Sequence, residues 1–172
     1  PNQMWGTDAT STVTVEHGSV TVFVAIDHCT LEGVGIHAAT RATRFEALEP
    51  IRQGARQQFG VFSAGHATGV QMRHDHGSQY MSEAFQTELR FLGMTSSPAF
   101  VRAPEGHGGA ERFIRTLKEQ LLWVRTFQTV EDLRRALHDW LRLYNEQWLV
   151  ERHGFRSPAQ VRRDFLSPSA AA

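Results

Sequence analysis

The sequence predicts an α/β domain in which a mixed five-stranded sheet, three antiparallel strands plus two further strands, is flanked by helices. Three observations lead there. The N-terminal part is built of β-branched runs separated by short polar turns. The middle sets two further strand-like runs between stretches whose apolar residues recur at helical spacing. The C-terminal third is helical, with capping residues ahead of its helices.

Taken in order, Trp5-Gly6-Thr7-Asp8-Ala9-Thr10 is strand-like, and Val13 to Val15 and Ser19 to Asp27 read as strands about a His17-Gly18 turn. After Asp27-His28-Cys29-Thr30, where Asp27 suits a turn with Thr30, Leu31 to Ala38 completes an antiparallel meander. A helix from Thr43 to Phe59 carries Phe45, Leu48, Ile51 and Ala55 at helical spacing, and Pro50 predicts a kink or a restart inside it. A loop from Ser63 to Gly69 precedes the strand that ends in Asp75. Ser82 then caps a helix running to Leu92, with Glu83 in its first turn. A short strand over Met94 to Ser97 leads to the Gly-rich loop Arg102 to Gly109. Helices follow over Gly109 to Arg125 and Val130 to Asn145, the second capped by Thr129 with Asp132 in a near capping box. A last one starts at Ser157-Pro158, a cap followed by Pro in the first helical position.

Composition narrows the class of protein. At 172 residues, with 41% hydrophobic and 21% charged residues, the chain suits one domain with a real core. A formal net charge of zero carries no electrostatic sign of a polyanionic partner, although basic residues cluster in the C-terminal third. Cys29 is alone, which excludes a disulfide framework and a cysteine zinc site and suits a reducing compartment. No apolar run approaches the roughly 18 residues of a membrane span, and no signal-peptide pattern opens the chain. It starts at Pro1 and reaches the Asp8 run within a few residues, as a piece of a longer protein would. The tail from 166 to 172 has nothing to bury and is expected to be disordered.

The chemistry rests on three acids. Asp8 lies in a strand, Asp75 closes another, and Glu111 follows a Gly-rich loop and opens an amphipathic helix; 35 residues separate the last two. Hard divalent cations take oxygen ligands, and two of them about 3.5–4 Å apart can activate a water or hydroxyl and stabilise a leaving oxygen at a phosphodiester. At about 100° per residue, Arg115 and Lys118 fall within roughly 40° of Glu111. Phe113, Ile114, Leu117, Leu121 and Val124 gather on the opposite side. A solvated basic face with Glu–Arg and Glu–Lys pairs is the plainer reading of the same residues. His74 and His76 flank Asp75 and His66 lies upstream, but strand alternation turns both neighbours away from the Asp75 face, which argues against zinc. Trp123, Trp140 and Trp148 are expected to be packing residues rather than base-stacking platforms.

These contexts resemble, over nearly the whole chain, the Asp-Asp-Glu integrase catalytic core of bacterial insertion-sequence transposases, relatives of the retroviral integrases. Trp5 to Thr10 looks like the first motif, His74-Asp75-His76-Gly77-Ser78-Gln79-Tyr80 the second and Ala110 to Lys118 the third. Tyr144-Asn145, Arg152-His153-Gly154 and Ser157-Pro158-Ala159 resemble the C-terminal signature. The resemblance implies a ribonuclease-H-like fold, whose element order the chain reproduces, and a catalytic core over 1–165 with a helical extension from about 128. It implies Asp8, Asp75 and Glu111 as catalytic metal ligands for two Mg²⁺ or Mn²⁺ ions. Arg115 and Lys118 become contacts to DNA, with Arg112, His76 and His107 as further candidates. His107 stands where the family commonly has Asn. The implied activity is DNA 3′-end cleavage and strand transfer, by a dimer or higher multimer on element ends and target DNA. The implied setting is the bacterial cytoplasm at the nucleoid, with no membrane, and an N-terminal DNA-binding region outside this chain. The alternatives are a ribonuclease-H-like nuclease and a catalytically inactive remnant that only binds DNA or partner subunits.

Overall fold

A computed structural model describes residues 1–99 and 108–167. Its sheet has the order β3-β2-β1-β4-β5, built from β1 (Met4–Thr14), β2 (Gly18–Asp27), β3 (Gly33–Ala39), β4 (Gln71–His74) and β5 (Thr95–Pro98). The first three strands form the expected antiparallel meander, with Trp5 opposite Asp27 and Val24 opposite Ile36. β4 adds in parallel beside the start of β1, Gly6 pairing with Arg73, and β5 adds in parallel beside β4. Helices cover both faces, which is why the central strands are apolar on both sides.

One face carries Val22, Val24, Ile26 and Ile36 against α4 (Gly108–Leu117) and α5 (Val130–Gln147), through Phe113, Leu117, Leu137 and Leu141. The other carries Trp5, Phe23, Ala25 and Met72 against α1 (Arg44–Phe59) and α3 (Glu83–Leu92), through Leu48, Ile51, Phe85 and Leu89. Burying each large apolar side chain is worth about 1.5–3 kcal/mol, so both layers hold the sheet. A four-residue helix α2 (Ser78–Met81) lies between Asp75 and α3, and α6 (Pro158–Leu166) closes the chain.

Several elements differ from the sequence reading. The two separate runs around Asp8 and Val13 are one strand of 11 residues, because β2 pairs with it from Trp5 to Thr14 and the ladder overrides the polar stretch in between. Leu31 belongs to the turn before β3, with φ +58°, and the Asp27 N–H bonds to the Glu32 carbonyl across it. Pro50 does not interrupt α1: its carbonyl lies so close to Gly35 that a Cβ there would sit 2.0 Å from it, and the Gln53 side chain accepts from the Ile36 N–H. That direct packing of helix backbone on β3 outweighs the hydrogen bond lost at the proline.

The long helix expected to Arg125 gives way at Leu117 to a π-helical turn, Lys118–Leu122. Leu121 and Leu122 are buried while Val124 is 70% exposed, against its expected place on the packing face. The capping predictions are met at Ser82, Thr129 and Ser157, the last two as complete capping boxes with Asp132 and Gln160. Residues 168–172 of the expected disordered tail lie outside the described residues, as does most of the Gly-rich loop.

Candidate active site

Asp8 occupies β1 two residues beyond Gly6, where the parallel pairing with β4 stops and β1 continues beside β2 alone. It is therefore inside a long strand rather than at a strand end, yet it lies where the sheet opens. Side-chain alternation puts it opposite Val24, on the face covered by α4. Asp75 follows the last residue of β4, two positions beyond Arg73, the partner of Gly6. Equal offsets from one register pair bring the two acids to the same edge.

Asp75 is exposed, and its Oδ1 accepts the Gly77 N–H at 2.7 Å. That turn admits only glycine comfortably, since a Cβ on Gly77 would lie 2.8 Å from the same oxygen. His74 is buried beneath it, with Nδ1 2.6 Å from the Asp75 carbonyl and Nε2 2.8 Å from Ser96 Oγ. Burial lowers the His74 pKa below its ordinary value, which favours the neutral ring. A carbonyl can only accept, which makes Nδ1 the donor and Nε2 the acceptor from the serine hydroxyl. His74 thus braces the backbone at Asp75. Tyr80, fully buried below, feels both acids: burial raises its pKa well above the ordinary phenol value, and Asp8 and Asp75 push in the same direction.

Glu111 is exposed on the first turn of α4, whose other side buries Ala110, Phe113, Ile114 and Leu117. Asp8 and Glu111 line one cleft of about 610 Å³, together with Arg115, Lys118, Glu119 and Trp123. Arg115 pairs with Glu119 at 2.8 Å rather than with Glu111. Of the further candidates, Arg112 lies instead beside Tyr144 and Trp148, His76 is exposed next to Asp75, and His107 is outside the described residues. Among the described residues, no three Asp, Glu, His or Cys side chains gather closely enough to hold a metal ion. A larger groove, about 870 Å³ between α1 and α3, is lined by Phe62, Phe91 and Glu88 and contains none of the candidate residues.

Several sequence landmarks have structural work instead. Asp27 is buried and accepts from the Cys29 and Thr30 N–H groups, the turn expected for it. Asn145 clamps the Gly33 backbone, accepting from its N–H at 2.9 Å and donating to its carbonyl at 2.8 Å. Arg152 donates to the His28 and Cys29 carbonyls, tying the C-terminal signature to the β2–β3 turn. Trp140 and Trp148 stack with Tyr144 as packing residues. Trp123 does not: it is 69% exposed in the cleft, which sequence periodicity could not show because the π-helical turn before it has no signature in an apolar pattern.

With that geometry in hand, the comparisons with known proteins agree on the fold. Residues 92–158 match the family described as an integrase core domain. The chain is 26% identical over 163 residues, 94% of its length, to the transposase InsD for insertion element IS2A/D/F/H/I/K of Escherichia coli and to that for IS2-9 of strain K12. It covers 54% and 52% of those proteins, about half their length. Among solved structures it superposes on the catalytic core of BIV integrase with a TM-score of 0.68 at 18% identity, covering 96% of this chain and 97% of that one. The HTLV-2 integrase catalytic core, solved in complex with magnesium, gives 0.65 at 18% identity over 94% and 96%. The likeness is that of the ribonuclease-H-like fold.

Proposed function

We propose that this chain, whose residues 92–158 match an integrase core domain, is the catalytic core of a DNA strand-transferase with Asp8, Asp75 and Glu111 as its reactive acids. The observation that carries this reading is the convergence of Asp8 and Glu111 in one open cleft, with Asp75 on the same sheet edge. Three carboxylates make an all-oxygen donor set, which suits Mg²⁺ or Mn²⁺, and the HTLV-2 core was solved with magnesium. When bound, such a pair of ions activates the attacking oxygen and offsets charge on the leaving one.

The chain's own residues do the rest. Lys118 and Arg115 draw the phosphate backbone toward the acids, and this attraction fades with salt. His74 holds the backbone at Asp75. Water attacks the phosphodiester at an element end and releases a 3′-hydroxyl. That hydroxyl then attacks target DNA, one P–O bond forming as another breaks, so neither a covalent enzyme intermediate nor ATP is required. The protein would act as a multimer on paired DNA ends in the bacterial cytoplasm, and among the described residues no helix is long and apolar enough to cross a membrane.

The test is 3′-end joining in Mg²⁺ or Mn²⁺ by the full transposase that contains this core, alongside Glu111→Gln. The variant should lose joining by at least about a thousandfold, in line with loss of a group acting on the reacting atoms, and keep its melting temperature. Joining that survives the substitution refutes the assignment. Hydrolysis without joining to a supplied 3′-hydroxyl favours a ribonuclease-H-like nuclease. A chain that binds DNA without any chemistry is a remnant.

A further inference from the structure

We infer that Trp123 is a stacking platform for an unpaired nucleobase beside the reacting phosphate, an inference that rests on the DNA reading of the Asp8–Glu111 cleft. A regular helix would carry Trp123 about 120° around from Glu111, at about 100° per residue. The π-helical turn Lys118–Leu122 intervenes, and its wider turns advance less per residue, which swings the indole back toward the Glu111 side. The turn ends at Trp123, whose N–H bonds to the Lys118 carbonyl. Trp123 then lines the cleft with Asp8, Glu111 and Lys118 while 69% exposed. Both other tryptophans of the C-terminal helices are packed against Tyr144. Trp123 is the one that the helix distortion turns outward.

The neighbours select the occupant. A cleft holding three acids, a lysine and an arginine is a poor seat for an apolar protein surface. A phosphate held by Lys118 instead places its own base within reach of a flat, exposed ring. Aromatic–base stacking tolerates any base and is worth enough to matter for binding of single-stranded segments. The inferred substrate element is therefore a locally unpaired base at the DNA end, splayed from the duplex and stacked on the indole while its phosphate faces the acids.

The experiment uses this chain with two fluorescent duplexes, one blunt and one with unpaired bases at the 3′ end, the second carrying 2-aminopurine at an unpaired position. Binding is read by anisotropy and stacking by 2-aminopurine quenching, for the parent, Trp123→Ala, Trp123→Phe and Lys118→Glu. The expected result is tighter binding of the unpaired end by the parent and loss of that preference, at least about fivefold, in Trp123→Ala. Quenching should vanish in Trp123→Ala and persist in Trp123→Phe. Lys118→Glu should weaken both duplexes alike. If the parent binds both duplexes with a salt-dependent affinity that Trp123→Ala leaves unchanged, the stacking platform is overturned while the DNA reading stands. If the parent binds neither at low salt, both fall. If Trp123→Ala instead abolishes a concentration-dependent dimer, the indole serves a second copy of the chain and the inference is overturned.

Discussion

At the start of β1 the carboxylates of Asp27 and Glu32 are buried, whereas farther along the same strand Asp8 is half-buried and its companions Asp75 and Glu111 are exposed. Among the described residues, Arg162 is the cation ion-paired with both. Arg162 on α6 bonds to Glu32 and lies 3.6 Å from Asp27, whose Oδ2 also accepts the Asn2 N–H at 2.5 Å. Asp27 Oδ1 is occupied by two backbone N–H groups and the Thr30 hydroxyl. At the open end Asp8 and Glu111 line a cleft beside Arg115 and Lys118, and Asp8 and Asp75 accept from the nearby Ala9 and Gly77 N–H groups. The difference teaches how to sort carboxylates in a fold of this kind: those buried among partners from distant parts of the chain hold the fold, and those at an open cleft are placed for a ligand.

The largest expected effect breaks the closed end. Arg162→Met keeps most of the side chain's volume but leaves two buried carboxylates without their cation. Removing one partner of a buried ion pair costs about 3–5 kcal/mol, to be measured by urea unfolding. A loss below about 1 kcal/mol, the level of an exposed pair, would show that the two ends do not differ in the way described. Because α6 enters the network through Arg162 alone, its helix should also gain the most hydrogen exchange in that variant.

Much of this molecule was legible beforehand because its signals are local. The meander and the helix caps at Thr129 and Ser157 each depend on a few adjacent residues. What escaped depends on partners distant in sequence. The strand run through Ser11 and Thr12 exists because β2 pairs along it, and α1 passes Pro50 because Gly35 admits its backbone. The π-helical turn is the same kind of case, and with it the exposure of Trp123 and Val124. Asn145 and Arg152 stood out as parts of a motif, yet their work on the Gly33 backbone and the β2–β3 turn spans more than a hundred residues of chain. Glycine at position 6 also has a reason that appears only in space: a Cβ there would meet His28 Nε2 at 2.4 Å.

A smaller effect sharpens the comparison through pH. Burial, the strongest influence, raises the Glu32 carboxyl above its ordinary value of 4.5, although Arg162 opposes the rise. The folded chain therefore holds that proton more tightly than the unfolded one. Glu32 contributes stability that is fully present below 4.5 and is lost as pH rises through the folded value. Unfolding free energies of the parent and Glu32→Gln, compared across that window, should show the parent losing stability relative to the variant as pH rises. An opposite slope would mean that Arg162 overcompensates the burial of this acid.

The smallest effect is expected at the open end. Asp75→Asn retains Oδ1 as acceptor for the Gly77 N–H, so the turn keeps its bond. It removes one negative charge from an edge where Asp8 also stands and where both acids act on Tyr80. Repulsion between exposed acids is weak and screened, so unfolding free energy should move by no more than about 0.5 kcal/mol, toward greater stability at low salt. Thermal melts at two salt concentrations measure this: a gain that shrinks with added salt fits an acid held at some electrostatic cost for a ligand. A loss beyond about 1 kcal/mol, the scale of a hydrogen bond that the fold relies on, would place Asp75 with Asp27 among the acids that hold the structure together.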